Sequence, residues 1–184
     1  MCLENPDGAD LADFATNFNW EDVHGYDFTP PVKDQKGCGS CYDVASNSML
    51  ESRIKIWFGK ETHLSSQFTL QCNFMTEGCK GGWGIFRGFF LESFYTVDES
   101  CAPYLASTKD DGCQNYRDCE PRAKVAETYY VGGHYGAMSE EKIMRELRCN
   151  GPILFDFRAG GAFQIYKNGI LDEVAPETLQ MLSK

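Results

Sequence analysis

The chain has 184 residues, 42% of them apolar, with 13 Phe, 9 Tyr and 3 Trp, which is enough to build the core of one globular domain. A formal net charge of −10 argues against a phosphate-tracking surface, so no nucleic-acid partner is expected. No apolar run approaches the roughly 18 residues that a membrane span needs, and no metal site is expected.

Residues 1–17 read as a loose acidic lead-in. Met1-Cys2-Leu3-Glu4-Asn5-Pro6-Asp7 has neither the basic start nor the apolar stretch of a secretory signal. Phe18 to Asp34, with Trp20, Pro30 and Pro31, reads as extended segments and turns. Gly37-Cys38-Gly39-Ser40 is a tight loop, and from Cys41 the pattern changes. Ala45, Met49 and Ile56, with Leu50, Ile54 and Trp57, recur at helical spacing up to Gly59. This predicts a helix over 41–58 with a wide apolar face. A shorter helix is expected over 63–70, a glycine-rich loop over 72–82, and a third helix over 84–95, weakened by Gly88. Residues 101–121 read as a cysteine-rich loop. Thr128–Val131 and Ile153–Phe157 are strand candidates. Between them Ser139 can cap a helix that opens on Glu140 and Glu141. An Asn168-Gly169 turn follows, and residues 172–184 look like a frayed tail.

The chemistry centres on Cys41. A cysteine nucleophile needs a stabilised thiolate, and the first turn of a helix offers free N–H groups and a favourable dipole. A carbonyl under attack needs donors for its developing negative oxygen. Gln35 lies across the Gly37–Ser40 loop, where its amide can join the Cys41 N–H as such a donor pair. The alternative for Cys41 is an inert buried thiol.

Gln35-Lys36-Gly37-Cys38-Gly39-Ser40-Cys41-Tyr42 resembles the nucleophile signature of the papain-like cysteine peptidase family. Tyr42, where most members carry Trp, resembles the cathepsin C (dipeptidyl peptidase I) branch. Trp20-Glu21-Asp22-Val23-His24-Gly25, Met49-Leu50-Glu51-Ser52-Arg53-Ile54 and Tyr129-Tyr130-Val131-Gly132-Gly133-His134-Tyr135-Gly136 are similar to segments of the heavy chain of that branch. Gly151-Pro152 and Tyr166-Lys167-Asn168-Gly169-Ile170 follow in the same order. The resemblance covers residues 18–171. It implies an α+β papain-like fold: a helical left lobe around the nucleophile helix, plus the beginning of a β-rich right lobe. It also implies disulfides Cys38–Cys79, Cys72–Cys113 and Cys101–Cys119, leaving Cys2, Cys41 and Cys149 unpaired, with Cys149 a packed thiol. Sequence alone permits many other pairings.

In this family the catalytic His and the Asn that orients it lie further towards the C-terminus. His24, His63 and His134 do not match that position, and surface or packing roles are expected for them. The resemblance therefore implies a heavy chain joined to a light chain or C-terminal segment carrying His and Asn. An exclusion-domain chain and an oligomer belong to the same picture, with a peptide as substrate. Nine cysteines suit a lysosomal, vacuolar or secretory setting, and the missing signal is reconciled if the chain is an internal piece of a longer precursor.

On the substrate side the resemblance assigns Gly81 and Gly82 to backbone binding and Trp83 to the wall of the P2 pocket, with Gly84 in place of the usual proline. Tyr104 matches the tyrosine near the chloride of the branch, although its neighbours depart from the pattern. Asp156 occupies a position that normally faces the P2 pocket, where it would favour a basic side chain. The alternative is a solvated strand residue paired with Arg158. Asp43, two residues after Cys41, suits a helix start but is expected to oppose a thiolate. Two functions stay open. One is the nucleophile-bearing subunit of a cysteine exopeptidase, with endopeptidase action not excluded. The other is an inactive papain-fold component of a larger assembly.

Overall fold

A computed structural model of the chain describes residues 17–108, 112–157 and 160–167. It divides into two units after Leu154. The first holds α1 (Cys41–Phe58), α2 (Ser66–Cys72), α3 (Gly84–Ser93), β1 (Thr96–Val97), β2 (Pro121–Ala123) and α4 (Glu140–Asn150); the second holds α5 (Gly161–Gln164). Short 3-10 turns at Gly78–Lys80 and Gly112–Tyr116 punctuate the loops. The helix-rich α+β class agrees with the sequence reading.

α1 spans the predicted residues and ends at Gly59, whose φ of +63° is the left-handed cap and whose N–H returns to Lys55 O at 3.0 Å. Its inner face is not the apolar stripe expected. The buried residues are Tyr42, Asp43, Ser46, Asn47, Glu51 and Ser52, while Ala45 and Trp57 are exposed and Met49, Leu50, Ile54 and Ile56 half-buried. Spacing gave the helix but not the face, because the neighbours of α1 supply matching polar groups. Asn47 donates to Leu64 O at 3.2 Å and to Ser66 Oγ at 2.7 Å. Glu51 accepts from Lys33 Nζ at 2.7 and 2.9 Å and from the Leu64 N–H at 2.6 Å.

α2 starts three residues later than the spacing suggests, because Ser65 caps it by accepting the Phe68 N–H at 2.9 Å. Phe68 then packs with Phe90, Leu91, Val97, Ala102, Tyr116 and Cys119 in the main core. A smaller cluster of Cys38, Tyr42 and Leu70, backed by Cys79, Tyr104 and Ala106, lies under the Gly37–Ser40 loop.

β1 and β2 pair antiparallel, Thr96 opposite Ala123 and Val97 opposite Pro121, with an irregularity between the two pairs. The strands expected at Thr128–Val131 and Ile153–Phe157 do not form. β-branched and aromatic composition suits a pleated surface, but a strand exists only through a partner's backbone, and among the described residues neither segment has one. α4 forms as expected, Ser139 Oγ accepting the Lys142 N–H at 3.3 Å above Glu140 and Glu141. It buries no residue fully and is held largely by polar ties. Arg53 donates to Pro152 O at 2.9 Å and pairs with Glu146 at 2.8 Å, and Trp20 Nε1 donates to Leu147 O at 2.9 Å.

Disulfides join Cys38 to Cys79, Cys72 to Cys113 and Cys101 to Cys119, the pairs the resemblance implies. Cys149 is disulfide-bonded, which corrects the expectation of a packed thiol; a cysteine at a helix end looks the same in sequence whether or not it is bridged. In the second unit Phe157 packs on Phe155 and Phe163, with ring centroids 5.6 and 4.7 Å apart. Residues 1–16 of the lead-in, Cys2, Arg158, the Asn168-Gly169 turn and the 172–184 tail lie outside the described residues. Among the described residues no helix is long and apolar enough to cross a membrane.

Candidate active site

Cys41 is the first residue of α1, is exposed, and is a free thiol. Ser40 precedes it at the N-cap but makes no side-chain cap bond. The N–H groups of Asp43 and Val44 both turn back to Ser40 O at 3.0 Å. Those of Cys41 and Tyr42 meet no acceptor among the described residues, so two helix-start donors stay open beside the sulfur.

The loop before Cys41 is clamped from two sides. On one, Cys38 is bridged to Cys79 and the Gly39 N–H donates to Cys79 O at 2.9 Å. A Cβ at Gly39 would stand 2.7 Å from that carbonyl oxygen, so only glycine permits this approach. On the other, the Tyr104 hydroxyl donates to Gln35 O at 2.9 Å and takes a 2.5 Å bond from Ser40 Oγ. Tyr104 thus ties the start of the loop to its end. A phenol carries one proton, and here Gln35 O takes it. The hydroxyl is left without a donor for an anion, so the arrangement does not fit the chloride that the resemblance suggested.

Gln35 Nε2 donates to Cys38 O at 2.8 Å, which holds the amide on its own loop. An amide nitrogen has two protons, and among the described residues the second meets no acceptor. Gln35 and Cys41 therefore flank one clamped loop, each carrying an open N–H donor.

Tyr42 is buried, its hydroxyl 3.2 Å from both Thr76 Oγ1 and Gly78 O, and burial pushes its phenol up to about 12. Gly82 sits against this ring: a Cβ there would lie 2.9 Å from the Tyr42 ring and from the Thr76 side chain. Its smallness serves packing as well as any substrate. Gly81 has open space where a Cβ would go and a φ of +120° that favours glycine. Trp83 precedes α3 and is about half exposed. Gly84 admits Leu154, whose Cδ2 would lie 1.8 Å from a Cβ at that position; glycine in place of proline is matched by this contact. Asp156 is exposed in the second unit, and Arg158, its alternative partner, lies outside the described residues.

Asp43, expected to oppose the thiolate, carries a counterion that the sequence reading did not foresee. It is completely buried, its Oδ1 2.7 Å from Arg87 Nε and 2.5 Å from Thr69 Oγ1. Arg87, also buried, donates through Nη2 to Asn47 Oδ1. Burial raises the Asp43 carboxyl above its ordinary range, with the guanidinium opposing. Sequence reading missed Arg87. The available signal was a lone cation in the aromatic stretch 84–95 with an unexplained acid upstream. No histidine among the described residues is hydrogen-bonded to Cys41. His24 sits in a turn at φ +56°, His63 is exposed in a cavity shared with Lys36 and Tyr104, and His134 is exposed.

Comparison with known proteins agrees with this geometry. The papain family cysteine protease profile matches residues 14–183. The chain is 34% identical to cathepsin C of Schistosoma mansoni over 152 residues, which is 80% of this chain and 33% of that protein. It is 29% identical to ananain of Ananas comosus over 165 residues, 89% of this chain and 44% of the relative. The structure of a recombinant stem bromelain precursor superposes with a TM-score of 0.54 at 28% identity, covering 62% of this chain and 36% of that one. The chain thus spans between a third and under half of these relatives.

Proposed function

Because the chain belongs to the papain family of cysteine proteases, we propose that it is the nucleophile-bearing part of a cathepsin C-like exopeptidase, with Cys41 as the attacking thiol. The observation that carries this reading is the free, exposed Cys41 at the first position of α1 beside the clamped Gln35 loop. In the proposed reaction the Cys41 sulfur attacks a peptide carbonyl carbon. The open N–H groups of Cys41 and Gln35 receive the oxygen as it gains charge. The imidazole that protonates the leaving amine comes from a light chain or C-terminal segment bearing His and Asn. Gly81, Gly82 and Trp83 flank the substrate.

Large exposed apolar side chains on the first unit, Trp57, Phe58, Phe74 and Phe94 among them, support a partner surface. The disulfides among the described residues support a lysosomal, vacuolar or secretory setting. The test is reaction with a peptidyl epoxide or vinyl sulfone, with the modified residue located by mass spectrometry. Modification confined to Cys41, lost in Cys41→Ala and accelerated by the His/Asn-bearing segment, supports the enzyme. Indifference to that segment and to the peptidyl group points to the inactive papain-fold component instead.

A further inference from the structure

The Asp43–Arg87 pair is not needed to explain the nucleophile, yet its acid stands only two residues along α1 from it. Residues two apart on a helix point to opposite faces, and here the sulfur is outside and the carboxylate inside. Everything facing that carboxylate is accounted for by three helices. α3 supplies Arg87, α2 supplies the uncharged Ser66 and Thr69, and α1 itself supplies Asn47 and the neighbouring Tyr42 phenol. Asp43 Oδ2 has no partner, so Arg87 is the sole opposite charge on this acid among the described residues. An unopposed carboxylate here would act on Cys41 through the helix body, where salt does not screen it, and would hold the thiol protonated.

We propose that Arg87 is a positioning residue for the Cys41 chemistry: through Asp43 it offsets the negative charge two residues after the nucleophile and holds the first turn of α1 against α3. This rests on Cys41 as nucleophile, but its test needs no turnover. The 184-residue chain is alkylated with iodoacetamide across pH 5–10, and the midpoint for Cys41 is read from its peptide. Asp43→Asn keeps the shape and uncovers a guanidinium that does not lose its proton in this range. It is expected to lower the midpoint by roughly half a pH unit or more, and Asp43→Ser is expected to do the same should the amide not fold. Asp43→Asn with Arg87→Gln, a neutral pair, is expected to return the midpoint to its original value. A pair that served only the fold would change stability and leave the midpoint alone. Unshifted single variants, or a double variant that stays low, overturn the proposal while leaving the nucleophile reading intact. A native chain whose Cys41 never reacts overturns both.

Discussion

Tyr104→Phe removes one oxygen atom and should loosen both ends of the nucleophile loop. Ser40 is completely buried, and its hydroxyl is bonded to Tyr104 Oη at 2.5 Å. Without that partner it becomes a stranded buried hydroxyl, a penalty of about 1–3 kcal/mol. Gln35 O loses its 2.9 Å donor and keeps the long 3.4 Å bond from the Cys38 N–H, which adds roughly 0.5–1.5 kcal/mol. The sum is about 1.5–4.5 kcal/mol. Ser40→Ala, which removes the hydroxyl together with its need for a partner, should cost about 1 kcal/mol. The double variant should then be more stable than the sum of the singles implies, by about 1 kcal/mol or more. Urea unfolding followed by tryptophan fluorescence gives all four corners of the cycle. Strict additivity would refute the claim that Tyr104 bridges the loop.

Gly39→Ala places a methyl against Cys79 O, so the loop must move; Cys41 labelling by a peptidyl electrophile is expected to slow at least tenfold, measured as the inactivation rate. Gly82→Ala is expected to destabilise the fold by roughly 1–3 kcal/mol through the Tyr42 ring, checked by thermal unfolding, whereas a purely substrate-facing glycine would leave stability unchanged. Glu99 accepts the Tyr104 N–H at 2.8 Å, and burial raises its pKa above the ordinary 4.5. Folding therefore favours its protonated form, and its contribution is lost as pH rises through the folded pKa. Glu99→Gln should accordingly be the more stable protein at neutral pH, with the difference closing as pH falls through the raised folded pKa and absent below the ordinary 4.5, measured by unfolding at a series of pH values.

The helices were legible because their signals are local. α1 begins at Cys41 and stops at Gly59 as the spacing and the glycine require, and Ser139 announces α4. Family membership was legible because its motifs are contiguous. What the sequence hid are properties of pairs distant along the chain. Thr128–Val131 has the composition of a strand, but pairing depends on a backbone elsewhere. Asp43 looked like a liability because its counterion lies 44 residues on. Gly82 matched a substrate position in the resemblance, yet only coordinates reveal the Tyr42 ring against it. At the site itself, sequence named Cys41 and Gln35. The resemblance already implied the Cys38–Cys79 bridge, but the Gly39 N–H bond to Cys79 O and the Tyr104 hydroxyl that ties Gln35 to Ser40 became visible only in three dimensions.

The hydrogen-bonded inner face of α1 bears on how reproducibly residue 41 is placed. A greasy interface tolerates sliding, since dispersion contacts of similar depth recur at many offsets along an axis. Asn47, Glu51 and Asp43 each engage a directional partner, and a half-turn or one-residue slip would break all three together. The helix is therefore indexed in both rotation and height, so its leading sulfur keeps one address even where the apolar surroundings are thin.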